Sequence, residues 1–174
     1  MPHEPRPVLS WHPDARVLLI GQAPGSKVHE SGVAWQDASG RLLRSWLEVN
    51  EEQFYDPRLF GLVPMGFCYP GKGSSGDLAP RPECAPQWHD TLRKRMDNIE
   101  LTLLVGRYAQ EYYLGRRGYK TLTENVHNFA EFAPDYLPLP HPSPRNRPWL
   151  AANPWFETDL LPELRKRIRR VLKG

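Results

Sequence analysis

Short, unbroken apolar runs alternate along this chain with stretches whose apolar residues recur every three or four positions. Arg16 to Gly21 reads RVLLIG, an apolar run with polar flanks, which predicts a short strand buried on both faces. It ends in Gly21-Gln22-Ala23-Pro24-Gly25, a turn that no helix interior accepts, and a loop is expected from there to Gly32. From Ser39 to Glu48, Leu42, Leu43, Trp46 and Leu47 fall at helical spacing, with Ser39 as the expected N-cap. A second apolar run, Leu59 to Met65, leads into a long loop over residues 66–86. Trp88 to Met96 reads as a helix, Leu101 to Gly106 as the cleanest strand, and Arg107 to Leu114 as the helix after it. Leu137 to Leu139 enters another loop, and the chain closes on a helix from Phe156 to Leu172. There Leu160, Leu161, Leu164, Ile168 and Leu172 share one face.

Strands alternating with helices predict an α/β fold: a three-layer α/β/α sandwich around a central, mostly parallel sheet of about four strands. No internal repeat or linker interrupts the pattern, so residues 1–174 are expected to form a single domain. In such sheets ligands bind beyond the carboxyl ends of the strands.

Composition sharpens this picture at one point. Nineteen of 174 residues are proline, about twice the usual share of ~5%. Proline has a fixed φ and no N–H, so it collects in loops. Here it concentrates in the loops over 66–86 and 138–149, with Pro24 in the loop over 21–32. Those three loops are therefore the expected walls of a binding site.

Charge and cysteine content exclude more than they assign. The formal net charge is +3, and Arg165, Lys166, Arg167, Arg169, Arg170 and Lys173 crowd the C-terminus without an acid among them. Such a run is expected to solvate a helix face. No apolar run is long enough to cross a bilayer, and the opening residues MPHEPRPVLS lack the apolar stretch of a secretory signal. Two cysteines, Cys68 and Cys84, are too few for a disulfide framework, and the expectation is a cytoplasmic, monomeric protein with reduced thiols.

The chemistry enters through two motifs. The first is Gly21-Gln22-Ala23-Pro24-Gly25 followed by Gly32-Val33-Ala34-Trp35-Gln36-Asp37-Ala38-Ser39-Gly40-Arg41-Leu42-Leu43; the second is His141-Pro142-Ser143-Pro144-Arg145-Asn146. Together they resemble the uracil-DNA glycosylase superfamily. The first is similar to the family 4 pattern G-E-A-P-G, G-x-P-F, A-G-x-L-L. The second is similar to the H-P-S-P-R-N version found in the single-strand-selective branch. The resemblance implies base excision repair: a nucleotide is extruded from DNA and its N-glycosidic bond is cut. It implies His141 as the donor that stabilises the departing base, and Gln22 as the group that places water. Gly21, Ala23, Pro24, Gly25 and Trp35 would hold the base, with Trp35 stacking on it. Ser143, Pro144, Arg145 and Asn146 would contact the DNA.

The chain also departs from the pattern. Gln22 stands where family 4 has glutamate, and Ala23 where family 1 has aspartate, leaving Asp37 and Glu30 as other carboxylates near the site. The segment Leu62 to Cys68 matches one that supplies a base-reading asparagine, yet Pro64 and Met65 stand here. Uracil and other deaminated bases are thus both open, as are a lesion-binding protein without turnover and a hydrolase or binder of free nucleosides or nucleotides. Cys68 and Cys84 are spaced like one half of the family 4 iron–sulfur set, but two thiolates do not make a cluster. No cofactor and no metal are expected; a zinc site with His89 is a minor alternative. His29, in the loop above the pocket, is expected at the surface or in contact with phosphate, a catalytic part being the minor alternative.

Overall fold

The computed structural model describes residues 4–174. In chain order, β1 (Val17–Ile20) is followed by α1 (Ser26–Ser31), α2 (Ala38–Leu47), α3 (Glu51–Phe54) and β2 (Phe60–Leu62). A small hairpin, β3 (Lys72–Gly73) and β4 (Gly76–Asp77), precedes α4 (Cys84–Arg93), β5 (Leu101–Val105) and α5 (Arg107–Leu114). Then come α6 (Leu122–His127), β6 (Tyr136–Leu139), α7 (Arg147–Ala152) and α8 (Leu161–Lys173). The central sheet runs β2-β1-β5-β6 with every pairing parallel, Leu19 lying opposite Leu62 on one side and Leu103 on the other. This is the expected three-layer α/β/α architecture.

The alternation along β1 separates two cores, because successive side chains leave a strand on opposite faces. Val17 and Leu19 join Leu43, Trp46 and Leu47 of α2, Val126 of α6, and Leu164 and Ile168 of α8. Leu18 and Ile20 join Ala85 of α4 and Ala109 and Leu114 of α5. Each fully buried aliphatic side chain contributes about 1.5–3 kcal/mol, and β1 buries four in a row. That is why RVLLIG reads as an unbroken apolar run.

Several local expectations are corrected. The cap of α2 is Asp37, whose side chain accepts the Gly40 N–H at 2.9 Å; Ser39 lies inside the helix. The stretch from 21 to 32 is not all loop, since Ser26–Ser31 closes into α1 against buried Val28. Of the apolar run 59–65 only Phe60–Leu62 pairs as a strand. The helix expected at 88–96 begins earlier, at Cys84, and ends at Arg93. A π turn over Phe156–Leu160 leads into α8, and Val171 is buried where Leu172 is only partly so. The basic run does solvate α8, pairing Arg165 and Arg169 with Glu48, and Arg167 with Glu163. No helix among the described residues is long and apolar enough to cross a membrane.

Candidate functional site

A cleft of about 900 Å³ opens at the carboxyl ends of the parallel strands. All three proline-bearing loops reach it. From the first, Gly21, Gln22, Ala23, Pro24 and Gly25 line it; from the third, His141, Ser143, Arg145 and Asn146. The loop over 66–86 contributes Tyr69, the β3–β4 hairpin and Pro80. The loops after β1 and β2 run side by side, with Met65 and Gly66 N–H donating to the carbonyls of Gly21 and Gln22 at 2.9 Å.

Trp35 forms one wall. Its indole lies on Gly21 so closely that a Cβ there would stand 2.9 Å from the ring. Trp35 adopts φ 60°, a left-handed conformation that costs a bulky residue about 1–3 kcal/mol. The surroundings enforce it. Arg44, buried in α2, donates to the Trp35 carbonyl at 3.1 Å and lies over the rings of Phe54 and Tyr55. A Cβ at Gly40 would fall 1.7 Å from that same carbonyl oxygen. Trp35 is therefore both a cleft wall and a residue packed on the core beneath it.

His141 faces Trp35 with ring centroids 5.8 Å apart. Burial pushes its pKa below the ordinary imidazole value, opposed in part by the Asp37 carboxylate. The ring is thus neutral near pH 7 and keeps one N–H to donate. Its loop is braced from below: the Asn146 side chain donates to the His141 carbonyl at 2.7 Å, and the Ser143 hydroxyl accepts the Arg145 N–H at 3.2 Å. Pro144 starts this short turn but is exposed and does not line the cleft.

Gln22 extends across the end of β5 instead of towards β2. A Cβ at Gly106 would meet its amide nitrogen at 2.6 Å, and Gly106 itself has φ +88°. The Gln22 amide forms no hydrogen bond to another described residue and is available to a ligand or water. On the β2 side, the Pro64 carbonyl accepts from the buried His89 ring at 2.8 Å, whose other nitrogen then accepts from Tyr113 at 2.6 Å. That wall presents no carboxamide.

Other expectations are sorted by the same geometry. Asp37 lines the cleft; Glu30 and His29 do not. His29 is partly buried against the Tyr69 ring, 5.6 Å between centroids, a correction to its expected surface position. Cys84 accepts the Phe67 N–H at 3.4 Å, and burial raises its thiol pKa. Cys84 and His89 both brace the segment after β2, and no three metal-ligating side chains converge among the described residues. Sequence reasoning missed Tyr69, Asp77, Arg107 and Tyr108 as cleft residues. The Gly73-Ser74-Ser75-Gly76 run was the available hairpin signal for Asp77.

A model of the uracil DNA glycosylase superfamily matches residues 10–165, which contain every residue lining this cleft except Val8. The chain belongs to that superfamily. Within this glycosylase fold, the cleft joins the strand-end glycine turn after β1 to the histidine loop after β6 across the central pair β1 and β5.

Proposed function

We propose that the protein is a monofunctional DNA glycosylase that removes uracil or another deaminated base from DNA. The observation that carries this reading is the environment of His141, a half-buried imidazole with a lowered pKa beside the Trp35 ring, in a cleft with Gly21 and Gln22. Base departure leaves negative charge on the base while the sugar becomes cationic. A neutral N–H aimed at the base stabilises that charge without adding a proton of its own. In this reading the base stacks on Trp35, the backbone of Gly21, Ala23, Pro24 and Gly25 approaches it closely, and the Gln22 amide holds water. Ser143, Pro144, Arg145 and Asn146 contact the strand outside, Arg145 meeting phosphate at the mouth. The motifs support a family 4-like member with a single-strand-selective type of turn, and the two cysteines leave it without a four-cysteine cluster.

The test is base release from oligonucleotides carrying uracil, hypoxanthine or xanthine, followed by cleavage of the abasic sites. His141→Ala is expected to slow release about 100- to 1,000-fold, the usual cost of one such donor. Release by the alanine variant at the wild-type rate refutes the role.

A second reading is a lesion-binding protein that retains the pocket without turnover. The wall at Pro64, which lacks a carboxamide to read a base edge, favours it. It is distinguished by salt-dependent binding to damaged oligonucleotides with no product formed.

A further inference from the structure

The G-Q-A-P-G turn holds no carboxylate, and an amide is not a base. Among the described residues, the cleft has two carboxylates, Asp37 and Asp77. Asp77 is exposed on the hairpin, its carboxylate beside Gly25 and already hydrogen-bonded with Tyr69. Asp37 is placed differently. It is half-buried, two residues from Trp35, on the wall that faces His141. One oxygen is fixed by the Gly40 N–H at 2.9 Å, which orients the group as the cap of α2. The second oxygen has no hydrogen bond to another described residue. Capping uses one oxygen, which leaves the second free on a residue that lines the cleft and acts electrostatically on His141.

We propose, resting on the glycosylase reading above, that Asp37 is the reaction's carboxylate, facing the cationic sugar and taking a proton from the attacking water held by Gln22. The bond from the sugar C1′ to the base nitrogen breaks with its electron pair leaving on the base, where His141 donates a hydrogen bond. Solvent water forms the new C1′–O bond, and its proton passes to Asp37. The base anion takes up a proton from solvent, and Asp37 returns its own to solvent. The products are the free base and an abasic sugar bearing a hydroxyl. The Coulombic influence of Asp37 on His141 agrees with the two groups serving one reacting centre.

Asparagine caps a helix about as well as aspartate, so Asp37→Asn keeps the cap and removes the charge. The measurement is single-turnover base release by Asp37→Asn, with its thermal midpoint and its affinity for an oligonucleotide carrying an abasic site. The expected result is release slowed about 100-fold or more, within the usual range for a lost acid–base group, with midpoint and affinity unchanged. Asp37→Ser, another capping residue, gives the same answer should the asparagine variant fail to fold. Equal release by wild type and Asp37→Asn overturns this inference and leaves the glycosylase reading standing. So does a loss of affinity or midpoint that accounts for the loss of rate. No release by wild type from any of the three damaged oligonucleotides overturns both.

Discussion

Trp35 concentrates the demands this site makes on single residues. A large aromatic side chain sits at positive φ because Arg44 holds its carbonyl and helix α2 leaves no atom at position 40 to push that carbonyl away. Replacing Gly40 with alanine places a methyl 1.7 Å from the Trp35 oxygen, so the segment must shift. Gly40→Ala is expected to cost about 1–3 kcal/mol, as overpacking does, and, on the function proposed above, to slow base release as the Trp35 wall moves. Urea denaturation and base release measure the two effects, and an unchanged variant would contradict this account. The glycine, the tryptophan and His141 were legible in the sequence because each sits in a motif whose spacing is local. Arg44 was not. An arginine on an amphipathic helix reads as solvent-facing, and the carbonyl and rings that bury it are assembled only by the fold.

At the scale of elements, the site depends on how β5 and β6 end together. The buried Gln110 of α5 donates to the carbonyls of Leu104 (3.2 Å) and Leu139 (2.9 Å), and its own oxygen accepts from Asn125 of α6 at 3.2 Å. Asn125 in turn accepts the Tyr119 N–H at 2.7 Å. The clamp fixes the strand end from which His141 emerges two residues later. Gln110→Leu leaves the Leu104 carbonyl and the Asn125 amide without these partners. Each such buried group costs about 1–3 kcal/mol, so a loss of about 2 kcal/mol or more is expected from urea denaturation. A variant as stable as wild type would show the clamp to be dispensable. Strands β1 and β5 were readable because both faces of each are buried and the apolar run is continuous. Helices α1, α6 and α7 escaped notice because six residues are too few to establish a period. For α6 the signal that existed was the capping pair Thr121 and Glu124.

Across the whole molecule, two histidines, His89 in the core and His141 half-buried in the cleft, tie stability to pH. His89 and His141 both have pKa values lowered chiefly by burial. In the unfolded chain each titrates near 6.5. Below that value the unfolded state binds protons that the folded state refuses, so acid favours unfolding. The stability they permit is complete above about pH 6.5 and is lost as the pH falls towards their lowered folded values. The urea midpoint is therefore expected to drop between about pH 6.5 and 5, before most carboxylates protonate. A midpoint that holds level or rises over that interval would contradict it. The all-parallel sheet has one more consequence. Because every central strand points the same way, the molecule has a working end and a blind end. Asp14, Asp97 and Asp135 each lie shortly before a central strand, at the end opposite the cleft. A tether or fluorophore attached there would hold or report on the protein while leaving the mouth of the cleft unobstructed.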